Sequence, residues 1–115
     1  MTLPLIQGHT PGSQEEVWIA NTLYKFKIPF IYQFEVAGGL RIRGGMAIDF
    51  MLTHPRYHPF EFYGDYWHER EVSGGDLLRI KAMEDIFHVK PYILWGKDAP
   101  DETAVVTWIK KNILR

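Results

Sequence analysis

The chain contains no cysteine. That excludes a disulfide framework, a thiolate zinc site and a cysteine nucleophile, and it fits a reducing compartment. Charge of one sign is also missing: 13 Lys plus Arg stand against 14 Asp plus Glu, a formal net charge of -1. Such a balance argues against a strongly basic protein that coats nucleic acid passively. No apolar run approaches the roughly 20 residues of a membrane-spanning helix. Met1 to Leu5 lack the basic start and long apolar stretch of a signal peptide. A cytoplasmic protein without a membrane partner is expected. The 115 residues, 46% apolar and 15% aromatic, suffice for one core built from one sheet and a few helices.

The order of elements can be read from periodicity. Residues 1–12 hold two prolines and two glycines without a sustained period and form an N-terminal arm, leaving a single domain over 13–115. Ser13-Gln14-Glu15-Glu16 is a capping-box pattern, after which Val17, Ala20, Leu23 and Tyr24 share a helical face until Pro29. Phe30 to Val36 alternates as a half-buried strand. Two Gly-Gly pairs bracket Leu40-Arg41-Ile42-Arg43, and Met46 to Leu52 and Phe60 to Tyr63 read as two further strands. Ser73-Gly74-Gly75 introduces a helix that Asp76 could cap, with Leu77, Ile80, Met83 and Phe87 along one side. Pro91 to Trp95 is a fourth strand. Asp98-Ala99-Pro100-Asp101 starts a last helix whose buried stripe is Val105, Trp108, Ile109 and Ile113. The order is αβββαβα, an α/β domain.

Two of these strands are apolar except for one carboxylate each, Asp49 and Glu61. An ionised carboxylate in apolar surroundings must be paired, hydrogen-bonded or metal-bound. If the strands form a hairpin turning near Pro55 to Tyr57, both acids reach a comparable height on one face. Two oxygen ligands, completed by water and a phosphate, are how proteins usually hold Mg²⁺. The alternative is that both acids simply face solvent.

The run Ile48-Asp49-Phe50 followed by Phe60-Glu61-Phe62-Tyr63-Gly64-Asp65-Tyr66-Trp67-His68 resembles the PD-(D/E)XK, or restriction-endonuclease-like, nuclease superfamily. The similarity is to the branch holding the very-short-patch mismatch-repair endonucleases, and Asp76-Leu77-Leu78-Arg79 opening the next helix extends it. The resemblance implies a central four-stranded mixed sheet flanked by helices. It further implies Mg²⁺-dependent hydrolysis of a DNA phosphodiester, with Mn²⁺ able to substitute. Asp49 and Glu61 would be the metal ligands, the Phe62 carbonyl could complete the shell, and Glu16 could assist. Glu16 has a plain alternative role as the capping-box partner of Ser13.

The chain departs from the superfamily in one place that bears on catalysis: Tyr63 stands where the motif carries Lys. His68 or Lys81 is expected to serve as base or charge stabiliser in its place, with Arg79 on the same helix as Lys81 a further candidate. Without cysteine, the structural zinc site of the mismatch-repair branch cannot form in full. Tyr66 and Trp67 align with an aromatic pair that those enzymes insert into the duplex. Residues 21–60 carry five basic groups, Lys25, Lys27, Arg41, Arg43 and Arg56, against Glu35 and Asp49, a strip suited to DNA phosphates. A DNA repair, phage or mobile-element setting would suit such a nuclease, and its small size leaves specificity to a homodimer mate or a larger protein partner. Two other readings stay open: a nuclease fold that has lost activity and only binds DNA, and an assembly subunit.

Overall fold

The computed structural model describes residues 2–36, 45–64 and 74–114, the side chains of 74–76 excepted. In chain order the elements are helix α1 (Gln14–Lys25), strands β1 (Phe30–Val36), β2 (Met46–Leu52) and β3 (His58–Tyr63), helix α2 (Gly74–Phe87), strand β4 (Tyr92–Trp95), a 3₁₀ turn (Gly96–Asp98) and helix α3 (Glu102–Asn112). The strands form one mixed sheet in the order β1-β2-β3-β4, antiparallel except for the parallel pair β3 and β4. A parallel pair needs a long crossover, and α2 lies in it. Among the described residues no helix is long and apolar enough to cross a membrane.

Local chemistry explains the boundaries. Ser13 caps α1 by accepting the Glu16 N–H at 3.3 Å, and Asp101 caps α3 by accepting the Ala104 N–H at 2.8 Å. Helix α2 begins at Gly74, so Asp76 lies inside its first turn rather than capping it. Strand β3 takes in His58 and Pro59 ahead of the expected Phe60. The lead-in segment is anchored to the sheet. Gln7 and Gly8 form a two-residue turn with φ of 50° and 82°, closed by reciprocal bonds between Ile6 and His9. From that turn the Gln7 amide donates to the Phe30 carbonyl and accepts the Tyr32 N–H, both at 2.8 Å, and so occupies the open edge of β1.

Helices α1 and α3 bury Val17, Ile19, Ala20, Leu23, Val105 and Ile109 against Phe30, Tyr32, Phe50, Phe60 and Leu94. Helix α2 brings Met83, with Ile80 and Phe87 beside it, to a second cluster of Met46, Ile48 and Met51. Tyr24 and Leu77, expected on the buried faces, are instead more than half exposed. Each lies at the margin of its helix's apolar stripe, where Ile19 and Met83 take the interior place.

The two clusters meet at one point. Tyr32 and Phe50 join the first, whereas Phe34 and Ile48, two residues along each strand, join the second. Regular alternation would keep residues two apart on one face. Between them Gln33 adopts φ 53°, outside the range of an ordinary strand. The register places it opposite Asp49.

A candidate carboxylate site where β2 and β3 part

The site is built on an interrupted ladder. Strands β2 and β3 pair Leu52 with His58, Met51 with Pro59 and Phe50 with Phe60, and the pairing stops there. Next in register come Asp49 and Glu61, and the backbone groups that a continued ladder would satisfy are met by side chains. The Asp49 N–H donates to Glu61 Oε2 at 3.0 Å. The Phe62 N–H donates to Asp49 Oδ2, also at 3.0 Å. Each carboxylate thus binds the opposite strand. Arg79 on α2 completes the set, donating from Nε to Glu61 Oε1 at 2.7 Å and from Nη2 to the Ala47 carbonyl at 2.6 Å. The antiparallel hairpin sets the two acids at the same height on neighbouring strands.

Their electrostatic situations differ. Glu61 is 1% exposed and has the Arg79 guanidinium as its counter-ion. Asp49 is partly exposed. Burial and then the negative charge of Glu61 push its pKa up to about 8, with a smaller push from Glu16; the Phe62 N–H and Arg79 pull the other way. For Arg79, burial disfavours the cation, but the hydrogen bond and charge of Glu61 outweigh it and raise the pKa further. One cation therefore faces two close carboxylates, with a third acid near enough to be felt.

That third acid is Glu16. It is buried, accepting from Tyr32 Oη at 2.7 Å and from Ser13 Oγ at 3.1 Å. The capping interaction is present, since Ser13 also accepts the Glu16 N–H, while the carboxylate itself turns inward to the Tyr32 hydroxyl. Burial, followed by the hydrogen bond and charge of Glu16, raises the Tyr32 phenol to about 12. Gly12 closes the far side: its N–H donates to Tyr32 Oη at 3.3 Å, and a Cβ there would stand 2.6 Å from Glu16 Oε2.

The remaining expected residues are distributed unevenly. Lys81 is exposed and pairs with Asp85 one turn along α2 at 3.2 Å, so it is not among the groups that meet the carboxylates. Arg79 reaches them. Phe62 meets Asp49 through its N–H. Tyr63, in the place of the motif lysine, packs edge-on against Trp95. Arg56 lies on the turn between β2 and β3, away from the carboxylates. Arg41, Arg43, Tyr66, Trp67 and His68 lie outside the described residues.

Whether the donor set suits a divalent cation can be judged from its chemistry. Among the described residues no three His, Cys, Asp or Glu side chains converge into a metal cage. Mg²⁺ does not need one, since it is commonly held by one or two carboxylates with water and phosphate oxygens. Asp49 and Glu61 provide that minimum, and their mutual repulsion is what a cation relieves. The Tyr32–Glu16 pair, which sequence reasoning missed, leaves only a faint trace: a tyrosine on a strand next to an acid-bearing helix. No family model matches the chain, and neither a curated protein nor a solved structure matches it.

Proposed function

We propose that the protein is a Mg²⁺-dependent DNA endonuclease of the restriction-endonuclease-like type, with Asp49 and Glu61 as its metal-binding carboxylates. The observation that carries this reading is the facing pair at the point where β2 and β3 separate, with the Asp49 pKa raised to about 8 by burial and by Glu61. The αβββαβα order, with an antiparallel β1-β2-β3 meander and a parallel β4, accords with it. A divalent cation bound there would lower the pKa of a water and neutralise charge on the scissile phosphate. Asp49, the more accessible acid, would hold such a cation in its ionised form. Glu61 holds its orientation through Arg79 and the Asp49 N–H. Arg79 is, among the described residues, the cation that meets the pair, and it takes the place of the motif lysine that Tyr63 replaces. Glu16, held by Tyr32 and Ser13, adds negative potential.

A second reading has its own support. Both Glu61 oxygens already have protein donors, and the carboxylates substitute for ladder bonds. A fold that uses its acids in this way could bind DNA without cutting it. The two are separated by incubating purified protein with supercoiled and branched DNA and Mg²⁺ or Mn²⁺. The nuclease reading requires nicking that Asp49→Asn and Glu61→Gln abolish; DNA binding that persists in both variants with no nicking by the wild type favours the second.

A further inference from the structure

A separate cavity of about 500 Å³ lies at the other end of β2, roughly 10 Å along the strand from Asp49. Its floor is aliphatic, from Ile28 and Leu52, and its walls carry Lys27, Arg56, His54 and the His58–Tyr92 pair. Those two rings stack at 3.9 Å and 7°, and His58 Nε2 donates to the Lys90 carbonyl at 2.8 Å, which fixes the imidazole plane. Among the described residues no carboxylate lines the cavity. Volume and lining suit a small ligand with an apolar body and an anionic group.

The C-terminal ends of α1 and α3 both border it, and each contributes roughly half a negative charge, which alone would call for basic neighbours. The supply exceeds that demand. Lys27 and Arg56 line the cavity. Two lining cations against about one unit of negative dipole charge leave a positive excess.

Lys27 is the informative residue. It follows α1 with φ 56°, and the bonds from Lys27 N–H to Tyr24 O and from Ile28 N–H to Leu23 O make it the left-handed residue of a helix-terminating Schellman motif. Glycine usually fills that position because it adopts the conformation freely. A lysine there lines the cavity in a conformation that costs the backbone, and strain of this kind collects at functional sites.

We propose that this cavity is a nucleotide-phosphate site, in which Lys27 and Arg56 hold the phosphate while the stacked rings and aliphatic floor take the sugar and base. The nucleotide can be free or part of a DNA strand. The site shares Arg56 with the nuclease reading but needs neither Asp49 nor a metal.

The test is titration of the full chain in EDTA with AMP, with a short oligothymidylate and with inorganic phosphate, followed by calorimetry and by the ring signals of His58 and Tyr92. AMP or the oligonucleotide should move those signals, and which one binds more tightly identifies the source. Lys27→Gly and Arg56→Ala should each weaken binding roughly tenfold or more, the loss of one charge-assisted contact. Lys27→Gly should at the same time raise the thermal midpoint, which excludes misfolding as the cause. Asp49→Asn should bind AMP in EDTA as the wild type does, whether the nuclease reading holds or fails. Inorganic phosphate binding as tightly as AMP, an adventitious ion only, would overturn the proposal. So would silence with all three ligands, or unchanged binding in both cavity variants, which would leave the cations serving the helix ends.

Discussion

Asp49→Asn should stabilise the cation-free protein at alkaline pH and leave it unchanged at acid pH. The Asp49 pKa stands about four pH units above its ordinary 3.8. At about 1.4 kcal/mol per unit, ionising it inside the fold would cost up to about 6 kcal/mol. Because the carboxylate is partly exposed, an effective dielectric near 20 and solvent screening reduce this to about 2 kcal/mol. The sign follows from proton counting. Above pH 4 the unfolded chain releases a proton that the native state keeps until the pH passes its raised pKa, so this group's contribution falls as pH rises through that window. Asparagine is neutral throughout and its side-chain oxygen can still accept the Phe62 N–H. Urea denaturation followed by the fluorescence of the four tryptophans measures the difference directly. Variant and wild type should coincide near pH 4, and the variant should be ahead by about 2 kcal/mol at pH 8.5. An offset that is the same at both pH values, or a variant less stable at pH 8.5, would refute the upward shift that burial and then Glu61 impose on Asp49.

Three further outcomes follow from the geometry. Arg79→Ala should cost about 3 kcal/mol in urea denaturation, because it leaves the buried Glu61 charge unpaired; a loss under about 1 kcal/mol would contradict the pairing of Arg79 with Glu61. Tyr32→Phe should cost about 1–3 kcal/mol by removing the hydroxyl donor of buried Glu16, and the Tyr32 phenol should show no spectroscopic ionisation until pH approaches 12 in the wild type. Lys27→Gly should gain about 0.5–1 kcal/mol by relieving a left-handed lysine, read as a higher urea midpoint with an unchanged slope.

The parts of the fold that were legible in the sequence depend on local chemistry. Ser13 and Asp101 announce helix starts because a side-chain oxygen must meet an orphan N–H, and the Asp49 and Glu61 pair follows from counting twelve residues across one hairpin. What needed tertiary structure was the identity of the cation. By position in the chain Lys81 is the expected replacement and Arg79 a further candidate, yet two residues along a helix turn the side chain by roughly 200°, so both cannot face the sheet. The helical period forbids the pair but does not choose between them; the seating of α2 through Met83 does. The switch of β1 and β2 between two cores was illegible for a similar reason, since nothing about Gln33 as a residue type announces φ 53°. The basic strip of residues 21–60 is divided by the fold, with Lys27 and Arg56 gathered at a cavity beyond the carboxylates.

The decisive measurement is the nicking of supercoiled DNA in Mg²⁺ by the wild type beside Asp49→Asn. Nicking by the wild type that disappears in EDTA and in the variant is the expected result, with the variant still folded by its urea transition. Nicking that persists undiminished in Asp49→Asn, or a wild type that never nicks with either Mg²⁺ or Mn²⁺, would contradict a metal-binding role for the facing carboxylates and leave them as the hydrogen-bonded closure of a parted strand pair.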